Sequence, residues 1–150
     1  MMKKIILIIF LFLSACGYQL VNNFENNNFY IVEYTLDGDK FINRLLSKNF
    51  SKTKNTNAEK KFIINTNGKI ERNINSKSKS GENVNLTTIV TINFEVLKDN
   101  DLIKVLELKD SSTYNASENK FEQKQYERTL IENMVENIIK NLYQTLAEIE

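Results

Sequence analysis

Apolar positions recur along the chain with two periods, and the places where the period changes divide the sequence into elements. Val84, Leu86, Val90, Ile92, Phe94 and Val96 alternate with Thr87, Thr91, Asn93 and Glu95, and only Thr88 interrupts the apolar row. Alternation of this kind puts one row on each face of a β-strand. At about 3.3 Å per residue, residues 84–96 predict a ribbon of roughly 43 Å, more than twice the usual strand length. Lys98-Asp99-Asn100-Asp101 supplies turn chemistry. Residues 102–108 then return as the partner strand, with room to extend to Tyr114. Upstream, Phe62, Ile64, Ile70 and Ile74 share one parity around Asn67-Gly68. The glycine predicts a bulge or bend in that strand, with a loop over residues 76–83 after it.

The spacing changes to threes and fours in two places. Phe41, Ile42, Leu45, Leu46 and Phe50 fall on one helical face, with Asp39 placed to cap it and the polar residues 51–57 to stop it. That helix has about three turns. Ahead of it, residues 29–34 are dense in aromatic and β-branched side chains and predict a short strand ending at Asp37-Gly38-Asp39. Near the other end, Phe121, Leu130, Ile131, Met134, Val135, Ile138, Leu142, Leu146 and Ile149 form the stripe of a long amphipathic helix. Ser117 or Asn119 can cap it, and Glu118 and Glu122 lie where the helix dipole favours negative charge. The order strand, helix, three strands, helix contains a single strand-helix-strand crossover, which excludes a doubly wound parallel sheet. The expected class is α+β: a two-layer sandwich, with a four-stranded mostly antiparallel sheet and two helices packed on one face. The even-numbered row of residues 84–96 would face the helices, leaving Thr87, Thr91, Asn93 and Glu95 outside.

Before the first strand the pattern belongs to export rather than folding. Lys3 and Lys4 precede nine apolar residues, 5–13, and the run closes on Leu13-Ser14-Ala15-Cys16. A spanning helix needs about 20 apolar residues, so this run is too short to cross a bilayer. Its build is that of a cleavable signal, and the tetrapeptide looks like a lipobox. Residues 1–15 are then the leader, removed before Cys16, whose sulfur takes a diacylglycerol and whose new amino group is acylated. Several acyl chains, at about 0.8 kcal/mol per buried methylene, anchor far more firmly than one. Gly17 stands where Asp would retain such a protein in the inner membrane, which favours the outer membrane. Residues 16–28, rich in asparagine, are expected to be a lipidated tether, and residues 29–150 a single domain.

Cys16 is the sole cysteine, so once it is acylated no disulfide is available and the fold rests on packing. Loss of Lys3 and Lys4 brings the mature chain to a formal charge of −1, from 18 basic and 19 acidic residues. No overall field recruits nucleic acid. Histidine is absent, and there is no Gly-x-Ser-x-Gly elbow and no glycine-rich phosphate loop. An enzyme is therefore not expected, and neither is a cofactor. Asp37-Gly38-Asp39 and Asp99-Asn100-Asp101 do not continue into a calcium loop, so no metal site is expected.

The lipobox followed by Cys16-Gly17-Tyr18-Gln19-Leu20, the strand-helix start, the long hairpin closed at residues 98–101 and the long final helix together resemble the LptE family. These are lipoprotein partners of the outer-membrane lipopolysaccharide translocon. The resemblance extends over most of the mature chain and includes the block from Ser80-Gly81-Glu82 to Leu142. It implies a four-stranded sheet carrying two helices, lodged as a plug inside an LptD-type β-barrel, assisting barrel assembly and lipopolysaccharide insertion into the outer leaflet. An outer face rich in Asn, Ser, Thr and Lys suits a wet, polar lumen, and an enclosing barrel would protect the sheet edges. Lipopolysaccharide carries phosphates, for which lysine is a point-charge partner. Lys77 and Lys79 in the hairpin loop, and Lys120 and Lys124 on the first turns of the last helix, are the candidate contacts. The chain's frequent lysines, 17 against three arginines, also admit ordinary solvated roles for each. Two other functions remain open: a periplasm-facing lipoprotein that binds a small ligand or peptide between helices and sheet, and an auxiliary lipoprotein of a lipid ABC transporter.

Overall fold

A computed structural model describes residues 28–53, 58–79, 81 and 83–149. Cys16, the expected leader and the expected tether up to residue 27 lie outside these, as do Ser80 and Glu82. In chain order the elements are β1 (Phe29–Gly38), α1 (Lys40–Phe50), β2 (Lys60–Lys77), β3 (Asn83–Lys98), β4 (Asp101–Asn115) and α2 (Lys120–Glu148). The strands lie in the order β1-β2-β3-β4. β1 runs parallel to β2, because α1 carries the chain back across the sheet, and the two hairpins that follow are antiparallel. The architecture is thus α+β with a mostly antiparallel sheet, as the pattern predicts.

Both helices bury their stripes against one face. α1 contributes Ile42, Leu46 and Phe50, and the sheet contributes Phe29, Ile31, Phe62, Ile64, Val90, Ile92, Phe94 and Val96. α2 adds Ile131, Met134, Val135, Ile138, Leu142 and Leu146, together with Ile139 and Tyr143, which the stripe read from the sequence omits. The ring of Phe29 meets Phe62 at 6.4 Å and Tyr143 edge-on at 5.5 Å, which ties the first strand to the last helix. Asp39 caps α1, its Oδ1 accepting from the amides of Phe41 at 2.8 Å and Ile42 at 3.2 Å. Asn119 caps α2, and the Ser117 hydroxyl in turn accepts from the Asn119 amide at 3.2 Å. Asp99 and Asn100, at φ 53° and 70°, form the two-residue turn between β3 and β4, a conformation these two residue types tolerate.

Three expectations are corrected. β2 runs through Asn67-Gly68 without a bulge, and its irregularity lies at residues 74–77 instead. Gly68 serves a close approach: a Cβ there would stand 2.8 Å from Ile42 Cγ2, so the missing side chain lets α1 descend onto the sheet. The same crossing holds Gly38, at φ +91°, opposite Gly68 in the register, with the Asp39 amide donating to the Gly68 carbonyl at 2.8 Å. The predicted loop at residues 76–83 is shorter, since β2 extends to Lys77 and β3 starts at Asn83. Finally, the apolar rows overrun their cover, and Ile74, Val84 and Phe121 are exposed. Periodicity reports the side a residue points to, not whether anything packs there.

Candidate functional site

Register gives the molecule two poles. The chain enters β1 at the end that carries the β3-β4 turn, and α2 finishes there, where Lys60 Nζ donates to the Ala147 carbonyl at 2.9 Å. The opposite pole holds the β2-β3 tip and the start of α2, joined by the Ala116 amide donating to the Val84 carbonyl at 2.9 Å. Lys77, Lys79 and Lys120 share that far pole, and all are exposed. β2 spans its 18 residues at about 3.3 Å each, so Lys77 at its end stands roughly 55 Å from the entry point of the chain.

Lys124, one turn further along α2, opens onto a different feature. Phe41 and Arg44 of α1, Ile70 and Arg72 of β2, and Lys124, Glu127, Arg128 and Ile131 of α2 line a cleft of about 280 Å³, with the capping Asp39 at its edge. Both helices and β2 contribute to its walls. α1 sits over β1 and β2 and α2 over β3 and β4, and the first turns of α2 bury no apolar side chain in the core before Leu130 and Ile131. Arg44, Arg72 and Arg128 are all the arginines the sequence has, drawn from three elements to one place. Arg44 Cζ lies 5.0 Å and Arg128 Cζ 5.3 Å from the centre of the Phe41 ring. Arg72 is paired with Glu127, whose side chain is largely buried, and Arg128 Nε approaches Glu132 at 3.5 Å. Among the described residues, Arg44 and Lys124 have no carboxylate within ion-pair distance. Of the four lysines named from the sequence, the structure brings one to this cleft. The arginines escaped notice because nothing in their spacing announces a shared site, although their scarcity among lysines is visible.

The sheet face away from the helices is a second candidate surface. Asn75 donates to Asn85 at 2.8 Å and to Thr87 at 2.7 Å, and Asn85 donates to Asn115 at 3.3 Å. The Thr87 and Thr113 hydroxyls lie 2.7 Å apart, and Asn65 donates to Glu95 at 3.3 Å. These cross-strand pairs make a polar lattice over β2, β3 and β4. Thr91 on this face is nonetheless buried, with Lys69 and Lys109 as its register neighbours. Toward the β3-β4 turn the face becomes apolar, where Ile63, Leu97 and Leu102 lie side by side in register and Val105 is 63% exposed. The outer face is therefore less uniformly polar than composition implies.

No protein-family model and no curated protein matches the chain. Solved structures do share its fold. Rare lipoprotein B from Shewanella oneidensis is 13% identical with a TM-score of 0.54, over 75% of this chain and 95% of that one. Lipoprotein B from Nitrosomonas europaea is 15% identical with a TM-score of 0.57, over 80% and 85%. A minor lipoprotein from Acinetobacter baumannii is 10% identical with a TM-score of 0.54, over 77% and 90%.

Proposed function

We propose that the chain is an outer-membrane lipoprotein, acylated at Cys16, that plugs an LptD-type β-barrel and assists its assembly and the insertion of lipopolysaccharide. The observation that carries this reading is the coincidence of a lipobox at residues 13–16 with a fold otherwise met in bacterial lipoproteins, matched along most of both chains. The polar lattice on the outer face suits a water-filled lumen, because Asn and Thr side chains can exchange cross-strand bonds for bonds to water or lumen groups. The role is not enzymatic, and the protein acts by binding and by shape. Lys77, Lys79, Lys120 and Lys124 remain the candidate lipopolysaccharide contacts, the first three gathered at the pole remote from the chain's entry.

Affinity capture of the tagged, lipidated protein from outer membranes tests the proposal. A very large barrel should be recovered in stoichiometric amount, and the Cys16→Ser variant should lose incorporation of labelled palmitate. Recovery of inner-membrane transporter subunits, or of no barrel at all, would overturn it.

A further inference from the structure

We propose that the cleft of Arg44, Arg72 and Arg128 binds a phosphomonoester group. Lysine serves this chain wherever a solvated charge is enough, so the convergence of every arginine on one cleft selects for what guanidinium does differently. Its planar fork offers paired donors that match two oxygens of a phosphate, whereas an ammonium is a point charge. Two of the forks, though exposed, rest against one ring: Arg44 and Arg128 lie over Phe41 at 5.0 and 5.3 Å, which narrows their freedom before a ligand arrives. Glu127 holds the third, Arg72.

Charge favours a dianion. Four cations line the cleft against two carboxylates, of which Asp39 already accepts two backbone amides and Glu127 already accepts from Arg72. Glu132 engages Arg128 only at 3.5 Å on an exposed helix surface, a pair that a phosphate can displace. About 280 Å³ accommodates a phosphate and part of an attached sugar, with Phe41, Ile70 and Ile131 offering apolar contact to the ring. The phosphate can come from a glycolipid headgroup or from a free sugar phosphate. The glycolipid source rests on the function proposed above, whereas the preference for a phosphomonoester does not.

Calorimetric titration of the full lipidated protein in neutral detergent tests this, with glucose 1-phosphate, glucose and inorganic sulfate as probes. Saturable binding of glucose 1-phosphate is expected, with glucose and sulfate at least tenfold weaker. Arg44→Gln with Arg128→Gln should weaken it at least tenfold, while Lys104→Gln with Lys140→Gln leaves it unchanged, and circular dichroism checks that both pairs fold. Arg44→Lys keeps the charge and removes the fork, and should lose several-fold. Binding that survives the arginine pair, falls equally with the lysine pair, or is shared equally by sulfate overturns the proposal. So does full affinity in Arg44→Lys. Mixed micelles of a diphosphorylated glucosamine-disaccharide lipid and of its dephosphorylated form then separate the sources. Arginine-dependent preference for the phosphorylated lipid assigns the headgroup, and its absence beside glucose 1-phosphate binding assigns the free sugar phosphate. Barrel capture is an independent readout, so failure here leaves the functional reading standing, and the converse also holds.

Discussion

Replacing Gly38 by alanine should destabilise the domain far more than the same change at Gly81, although both glycines have φ near +90°. A residue with a Cβ in left-handed space costs about 1–2 kcal/mol. At Gly81 that is the whole effect, because nothing lies within 4 Å of the added methyl. At Gly38 the methyl would stand 2.1 Å from the Gly68 carbonyl oxygen and 2.8 Å from the Gly68 amide nitrogen. Backbone cannot turn aside as a side chain does, so β1 must separate from β2. Forced overpacking adds about 1–3 kcal/mol, and the bond from the Asp39 amide to Gly68, 2.8 Å long, is lost at about 1 kcal/mol. The expected loss is about 3–6 kcal/mol for Gly38→Ala and about 1–2 kcal/mol for Gly81→Ala, against a total stability on the order of 5–15 kcal/mol. With a urea slope of about 1.5 kcal/mol per molar, the Gly38 variant's midpoint falls by roughly 2 M or more and the Gly81 variant's by about 1 M. Equilibrium urea unfolding followed by circular dichroism measures both. Equal shifts would refute the reasoning, because they would mean that the contact with Gly68 contributes nothing beyond the dihedral.

Asp39→Ala should cost about 1 kcal/mol by removing the α1 cap, read as a lowered urea midpoint, with Asp39→Asn retaining most of the stability. Leu142, fully buried where α2 meets the sheet, should cost about 2–5 kcal/mol when cut to alanine, whereas the exposed Lys140→Ala should change stability by under about 0.5 kcal/mol in the same assay. Burial holds the Tyr143 hydroxyl well above the ordinary tyrosine pKa of 10.0, so the folded state keeps a proton that the unfolded chain releases. Stability from this source is complete below pH 10.0 and declines as pH rises above it. Melting curves between about pH 9 and 11.5 should show that decline in the parent chain, and Tyr143→Phe should flatten it.

Much of the architecture is legible in the residues. The alternation through β3 fixes a long strand whose even row is core, and Leu86 through Val96 on that row are buried. Asp39 and Asn119 are found at the caps, and the turn at Asp99-Asn100 closes where its residues allow positive φ. These features are local: a cap, a turn and a period each depend on residues a few positions apart. The missed features depend on distant ones. Gly68 reads as a bulge until Ile42 is seen above it, and Phe121 reads as core until α2 is seen to start beyond the packed layer.

The candidate sites divide along the same line. The acylation signal proposed at Cys16 is contiguous in sequence, so it can be recognised without any fold. The arginine cleft exists only because a parallel crossover sets α1 on β2 and a long hairpin returns α2 beside it, bringing residues 44, 72 and 128 to one cleft. Side-chain type and short-range spacing thus determined the elements and their caps, and they carry the leader proposed for residues 1–15. Which side chains meet across the layers was decided by packing, since burial of apolar area is non-directional and says how much surface must be covered, not by what.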